Sequence, residues 1–167
     1  MGLDMWQVIT NYLQELSKLL DIPADVLEIY VSFVNEPQCL LTTANLYRLE
    51  PSSNGHVVYY TVNRNDLGKH KGQITSFGLA QLTGCCGICV STAAYVYEQY
   101  RKKGVNKLTN RFRQTIARHA GYGLLLCTDI ANNTPEKRTL LAEGWQDIFR
   151  FTNPRTSRVL DISVKVL

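Results

Sequence analysis

The chain has 167 residues, 45% of them hydrophobic and 19% charged, which is enough apolar material for a packed core and too little charge for disorder. Its longest apolar run falls well short of the roughly 20 residues that span a bilayer, and the N-terminus lacks the basic and small-residue signals of a secretory leader. A non-membrane protein acting in the cytoplasm is expected. The net charge of +4 conceals a split: residues 1–50 hold seven acidic and two basic side chains, a balance of −5, and the remainder carries +9. Residues 101–118 hold seven Lys/Arg and no acid. Such a block suits nucleic acid, a membrane surface or a small polyanion, and charge alone does not choose.

Trp6, Ile9, Leu13, Leu16 and Leu20 recur at helical steps, so the first segment reads as a helix, with a strand over residues 5–10 as the alternative. After Pro23, the spacing of Leu27, Tyr30, Val31 and Val34 predicts a second helix ended by Pro37. Residues 1–37 are therefore expected to be a helical N-terminal part. From Cys39 the chemistry turns to β. A strand is expected over residues 40–49, a turn at 51–55 and a strand over 56–63, rich in β-branched and aromatic residues. A polar connection over 65–72 leads to a strand at 73–82, a glycine-flanked reversal at 83–87 and a strand at 88–97.

Val105, Leu108, Phe112 and Ile116 form the apolar stripe of a helix running to about Ala120, with Lys107, Arg111, Arg113 and Arg118 mostly off that stripe. Gly121 suits the left-handed residue that stops it. A short apolar strand at 124–128 precedes a helix through Glu143, with Pro135 in its first turn. Strands at 145–152 and 158–166 follow, joined by residues 153–157. The order is helices, then β-β-β-α-β-α-β-β: a mixed α/β domain, 1–167, whose sheet and binding core occupy 38–167.

Five cysteines, Cys39, Cys85, Cys86, Cys89 and Cys127, are expected as reduced thiols. Cys86 and Cys89 have the spacing of half a zinc site, but no second pair exists and His56, His70 and His119 lie scattered, so no metal is expected. The same pair falls inside a β-like run rather than at a helix start, which disfavours redox catalysis.

The informative unit is strand, basic glycine turn, helix at residues 88–120. A helix N-terminus offers unpaired N–H groups and the positive end of the helix dipole. Gly104 permits close backbone approach, and Arg101, Lys102, Lys103 and Lys107 surround it, so a pyrophosphate or other phosphate is the natural guest. The plain alternative is a solvated basic helix start. Neither the P-loop nor the Rossmann glycine pattern occurs.

This segment resembles the GNAT family of acetyl-CoA-dependent N-acyltransferases. Arg101 and Gly104 match the first two fixed positions of the signature Q/R-x-x-G-x-G/A, with Asn106 where the second small residue belongs. Tyr100 and Leu108 also fit the family's habit. Downstream, the strand at 124–129, Asn133, the helix at 135–143 and Gly144 with Trp145 are similar to the family's strand, Asn, short helix and Gly-Phe. The resemblance covers residues 88–152, extends toward the C-terminus and fades before residue 56. Cys127 with Thr128, and Gly144 with Trp145, look more like the short GNAT-type proteins of tailed phages, which would place the protein in the host cytoplasm.

The resemblance implies a central mixed sheet flanked by helices, with the strand ending at Tyr97 splayed from the strand at 124–129. Acetyl-CoA would enter that opening. Backbone groups near Val96 and Tyr97 would pair with the pantetheine arm. N–H groups of Lys102, Lys103, Gly104, Val105, Asn106 and Lys107 would hold the pyrophosphate, with Arg101 and Lys103 as screening charges. Asn133 would contact the arm, or else cap the helix before Pro135. The family often places a Tyr on the last helix to protonate the departing thiolate, and counting from Asn133 that position is Leu140, which donates nothing. Glu98 is the nearest candidate base; Tyr97, Tyr100 or Cys127 could supply the proton. Cys127 has no visible base partner and reads better as core than as a nucleophile.

The implied activity is acetyl transfer from acetyl-CoA to an amine by direct attack in a ternary complex. The acidic front favours a cationic acceptor such as a lysine side chain, a peptide N-terminus or a polyamine. Against it stands a catalytically silent module of the same fold that binds CoA or a protein. A nucleic-acid binder has the charge but no aromatic platform interleaved with it.

Overall fold

The computed structural model describes residues 4–49 and 56–167; the turn expected at 51–55 lies outside them. The first helix forms as α1 (Met5–Leu20). The short apolar run at its start is helical because Met5, Val8, Ile9, Tyr12 and Leu16 bury one face, and a strand there would split that face in two. Trp6 sits at the margin, 37% exposed. Asp21 ends the helix in the left-handed conformation, φ 53°.

The second expected helix does not form. Residues 27–32 are instead a strand, β1 (Leu27–Ser32), which corrects the helical N-terminal part to one α-helix followed by β structure. Leu27, Ile29 and Val31 are buried while Glu28, Tyr30 and Ser32 are half-buried, a period of two. Leu27 and Val31 belong to both patterns, with Tyr30 and Val34 completing the helical one and Ile29 the strand's. Pairing with β3 (His56–Asn63), from Leu27↔Asn63 to Ser32↔Val58, decides between them. The strand expected over 40–49 shrinks to β2 (Cys39–Leu40), and a short 3₁₀ turn occupies Leu46–Arg48.

The remaining elements follow the expected order: β4 (Gln73–Gln81), β5 (Ile88–Val96), α2 (Val105–His119), β6 (Leu124–Ile130), α3 (Thr134–Ala142), β7 (Gln146–Thr152) and β8 (Val159–Val166). Among the described residues the strands form one sheet in the order β2-β1-β3-β4-β5-β6-β8-β7. The β5–β6 pair is parallel and the other neighbours are antiparallel. This is a mixed α/β architecture with a mostly antiparallel central sheet and flanking helices.

Helices α1 and α2 share one face of the sheet. Tyr12 stacks on Phe112 with ring centroids 4.0 Å apart, and Phe112 meets Phe77 edge-on at 6.0 Å. The buried Tyr12 hydroxyl bonds Thr61 Oγ1 at 3.1 Å and Thr109 Oγ1 at 3.3 Å, so the polar tip of the ring is satisfied inside the core. No described helix is long and apolar enough to cross a membrane.

Candidate functional site

Strands β5 and β6 pair only at Ile88↔Leu124, Cys89↔Leu125 and Val90↔Leu126. Beyond Val90, β5 stays with β4, whose register with it shifts between Ser76 and Gly78. Beyond Leu126, β6 stays with β8 as far as Ile130↔Leu160. A bulge on one side and continuous pairing on the other pull the two strands apart. The splay expected between them is present.

Past the end of β5, a 3₁₀ turn (Glu98–Tyr100) leads through Arg101 and Lys102 to Gly104 and the start of α2. Gly104 has φ 85°, and a Cβ there would meet nothing nearer than Leu19 at 3.8 Å, so glycine is required by conformation and not by crowding. Lys102 also adopts positive φ, 64°. Among the described residues no side chain caps the N-terminus of α2, and no acid lies in its first turn; the first helical bond is Leu108 N–H to Gly104 O. The N–H groups of Val105, Asn106 and Lys107 therefore form the electropositive end of the helix.

These features open on a cavity of about 600 Å³ between the end of β5, the start of α2 and the start of α3. Val96, Arg101, Lys102 and Gly104 line it, and so do Val105, Asn106, Lys107 and Asn133. Pro135, Glu136 and Thr139 form the α3 wall. Eight of the ten residues proposed from sequence for binding thus share one cavity wall. Lys103, exposed in the turn, and Tyr97 do not line it.

Several expected roles change in the structure. The Val96 carbonyl already accepts from Arg101 Nε at 2.8 Å, and the Tyr97 N–H donates to Ile74 O at 2.9 Å, because Arg101 folds back and β5 remains bonded to β4 at its end. Arg101 lies 5.0 Å from the Tyr95 ring centroid, a cation–π contact. Tyr97 turns toward His70, ring centroids 4.8 Å apart, and donates its hydroxyl to Gln73 Oε1. Glu98 is exposed at the first position of the 3₁₀ turn and is off the cavity wall. Tyr100 does line the cavity; its hydroxyl donates to Asp66 Oδ2 at 3.2 Å, and burial raises its pKa.

Asn133 caps α3, accepting from the Glu136 N–H at 3.4 Å while lining the cavity. Asn106 supplies a hydrogen bond where the family pattern has a small residue: its Nδ2 donates to Glu136 Oε2 at 3.1 Å. Leu140 is 1% exposed and turned into the core, so α3 presents Thr139 and Glu136 to the cavity instead. Burial pushes the Cys127 thiol up to about 12, outweighing the lowering effect of Arg113, which makes it a core thiol and no nucleophile.

The basic block of α2 is not a continuous charged face. Arg111 Nε pairs with Glu143 at 2.9 Å, and Lys107 Nζ lies 3.9 Å from the same carboxylate. Arg113, expected off the apolar stripe, is only 2% exposed and donates to Ser91 Oγ at 2.8 Å. The signal for its burial lies beside the stripe: Asn106, Asn110, Arg113 and Ala117 recur at steps of four, three and four.

A second charged cluster has no signature in the sequence. Lys137 Nζ lies 2.7 Å from Asp129, 3.0 Å from Asp147 and 2.6 Å from Asp161, and Arg150 Nε pairs with Asp161 at 2.8 Å. The carboxylates come from β6, β7 and β8, far apart in sequence, and the ammonium of α3 occupies their centre. Burial alone would lower the Lys137 pKa, but the hydrogen bonds from its ammonium to Asp129, Asp161 and Asp147 raise it overall. Arg150 and Lys137 hold the Asp161 carboxyl well below its ordinary range.

The fold is that of the GNAT acetyltransferases. No protein-family model matches the sequence, and no curated protein matches it. Solved structures do. A GNAT family acetyltransferase from Elizabethkingia anophelis with acetyl-CoA bound aligns over 86% of this chain and 99% of its own, with TM-score 0.62 and 11% identity. IAA acetyltransferase from Bacillus cereus aligns over 67% and 78%, TM-score 0.57, 13% identity. Ribosomal-protein-S5-alanine acetyltransferase from Vibrio fischeri aligns over 66% and 61%, TM-score 0.56, 12% identity. At such identities the likeness is one of fold.

Proposed function

We propose that this chain is one acyl-CoA-binding domain that transfers the acyl group of a CoA thioester, acetyl-CoA in the first instance, to an amine. The observation that carries this reading is the parting of β5 from β6 together with the cavity between the end of β5 and the uncapped N-terminus of α2. A pyrophosphate needs N–H donors and positive charge at one end of a slot, and a pantetheine arm needs strand edges along its length. Val105, Asn106 and Lys107 supply the N–H groups; Lys102, Lys107 and Arg101 supply the charge. Lys103 screens from outside the wall. The arm lies along β5 at Ala94 and Tyr95, past the engaged Val96 carbonyl. The E. anophelis protein of this fold holds acetyl-CoA.

In such a transfer the amine lone pair attacks the thioester carbonyl carbon, the C–N bond forms, the C–S bond breaks, and the thiolate takes up a proton as the amine loses one. Glu98, exposed just beyond β5 and off the cavity wall, is the base and takes the amine proton through water. Tyr100 is better placed than Tyr97 to return a proton, because it alone of the two lines the cavity. The acceptor is a cationic amine. Two front-end acids are already committed, Glu36 to Arg48 and Glu28 to Arg64, which leaves fewer to attract it. The reaction belongs in the cytoplasm, where CoA thioesters are made, the host's in the case of a phage protein.

A silent CoA-binding module is the second reading, favoured by the buried Leu140 and the committed Tyr97 hydroxyl. Titration calorimetry with CoA and acetyl-CoA tests binding, and thiol release with a panel of amines tests transfer. Binding without thiol release leaves the module; no binding of either nucleotide removes both readings. Nucleic acid is disfavoured as a partner by the pairing and burial of Arg111 and Arg113.

A further inference from the structure

Arg113 is a fully desolvated guanidinium with donors to spare. Its Nη1 bonds Ser91 Oγ, while Nε and Nη2 have no hydrogen-bond partner among the described residues. One turn earlier on the same face of α2, Asn110 is fully buried and its Nδ2 is equally unpartnered. Two acceptors beside them are already in use. Asn110 Oδ1 receives Gln114 Nε2 at 2.6 Å and Trp145 Nε1 at 3.1 Å, and Ser91 Oγ receives Arg113. A buried set of spare donors asks for a guest that only accepts, and a cation among them asks for that guest to be an anion.

The location says which anion. Ser91 and Cys127 are the first residues of β5 and β6 beyond the last paired positions, Val90 and Leu126, and Arg113 bonds the one and acts electrostatically on the other. It therefore underlies the apex of the divergence. Glu136, on the cavity wall, also acts on it electrostatically, though Arg113 is not itself a lining residue. From Gly104 to Arg113 the helix rises about 13 Å, at roughly 1.5 Å per residue, which sets the donors a pantetheine length from the phosphate end.

We propose that the apex is a binding site for a carboxylate at the far end of the acyl group, so that the preferred donor is the CoA thioester of a short dicarboxylic acid, with Arg113 and Asn110 as the specificity residues. This rests on the function proposed above and narrows its donor. A neutral acetyl group leaves the spare donors unmet; a carboxylate one or two methylenes longer reaches them.

Calorimetric titration of the unmodified protein with CoA, acetyl-CoA, succinyl-CoA and the methyl ester of succinyl-CoA is the test. Succinyl-CoA is expected to bind roughly tenfold tighter than acetyl-CoA, and its methyl ester no tighter than acetyl-CoA. In R113M the preference should fall within about twofold while CoA affinity holds, and R113K should keep part of it. The fold should tolerate R113M, since an unpaired buried charge is replaced by an apolar chain. Equal binding of acetyl- and succinyl-CoA overturns the inference and leaves acyl-CoA binding intact, the donors then being met by water or by Glu136. A preference that survives R113M overturns it also. Failure of CoA itself to bind is a different result, which removes the proposed function and this inference together.

Discussion

Asn106 Nδ2 donates to Glu136 Oε2 across 3.1 Å, joining the first turn of α2 to the first turn of α3 over the cavity. The contact holds a carboxylate on the wall of a slot otherwise edged with cations and helix N–H groups. It neutralises none of the negative charge; it only positions it. Glu136→Gln keeps a hydrogen-bonding partner for Asn106 and removes the repulsion toward a pyrophosphate. CoA affinity should rise severalfold at low ionic strength, with the gain shrinking as salt screens it. A fall in affinity on calorimetry would place the phosphates elsewhere.

Gly104 offers a cleaner separation of strain from crowding. Its φ of 85° is disfavoured for any residue with a Cβ, yet the space around that Cβ is open. Gly104→Ala should cost about 1–2 kcal/mol of stability, read from denaturant unfolding. CoA binding should weaken as well, because relaxation of the turn moves the N–H groups of Val105 and Asn106. An unchanged unfolding midpoint would show that the turn relaxes freely.

The Lys137 cluster makes a pH prediction with a definite sign. Asp161 is held below its unfolded value, so its contribution is present above about pH 4 and is lost as pH falls through the acid range. Lys137 is raised above its unfolded value, so its contribution is present below about pH 10 and is lost as pH rises beyond it. Melting temperature should therefore be flat between these limits and fall outside them. Lys137→Met leaves three crowded carboxylates without their central cation and should cost about 3 kcal/mol at neutral pH. Acidification should then recover part of that loss, the reverse of the unmodified protein's behaviour.

Thiol accessibility separates the cysteines. Cys85 and Cys86 are exposed, Cys39 is half-buried, and Cys89 and Cys127 are buried, with burial raising the latter two thiols to about 11 and about 12. A thiol reagent at pH 8 should titrate Cys85 and Cys86 rapidly, Cys39 slowly, and Cys89 and Cys127 only on unfolding. Cys127→Ala should leave thiol release from acyl-CoA intact; its loss in a folded variant would return Cys127 to the reaction.

The amino-acid order is most legible wherever the signal is local. The glycine turn, the helix start at Val105, the Asn133–Pro135 entry to α3 and the strands from His56 onward follow from residues whose backbone preferences act within a few positions. Residues 27–34 show the limit. Leu27, Tyr30, Val31 and Val34 satisfy a helical spacing, and Leu27, Ile29 and Val31 a strand's; the neighbouring strand β3, with backbone groups to pair, settles it.

The site divides in the same way. Neighbouring residues alone set the positive charge, the left-handed glycine and the free helix end, because a phosphate cradle is built from contiguous backbone. It takes the packed fold to bury Arg113 at the apex of two parting strands, to turn Tyr97 away to Gln73, and to bring Asp129, Asp147 and Asp161 together on Lys137. The reason is physical: a polar side chain's exposure and pairing depend on what packs against its face, and the partners here lie 8 to 24 residues away in sequence.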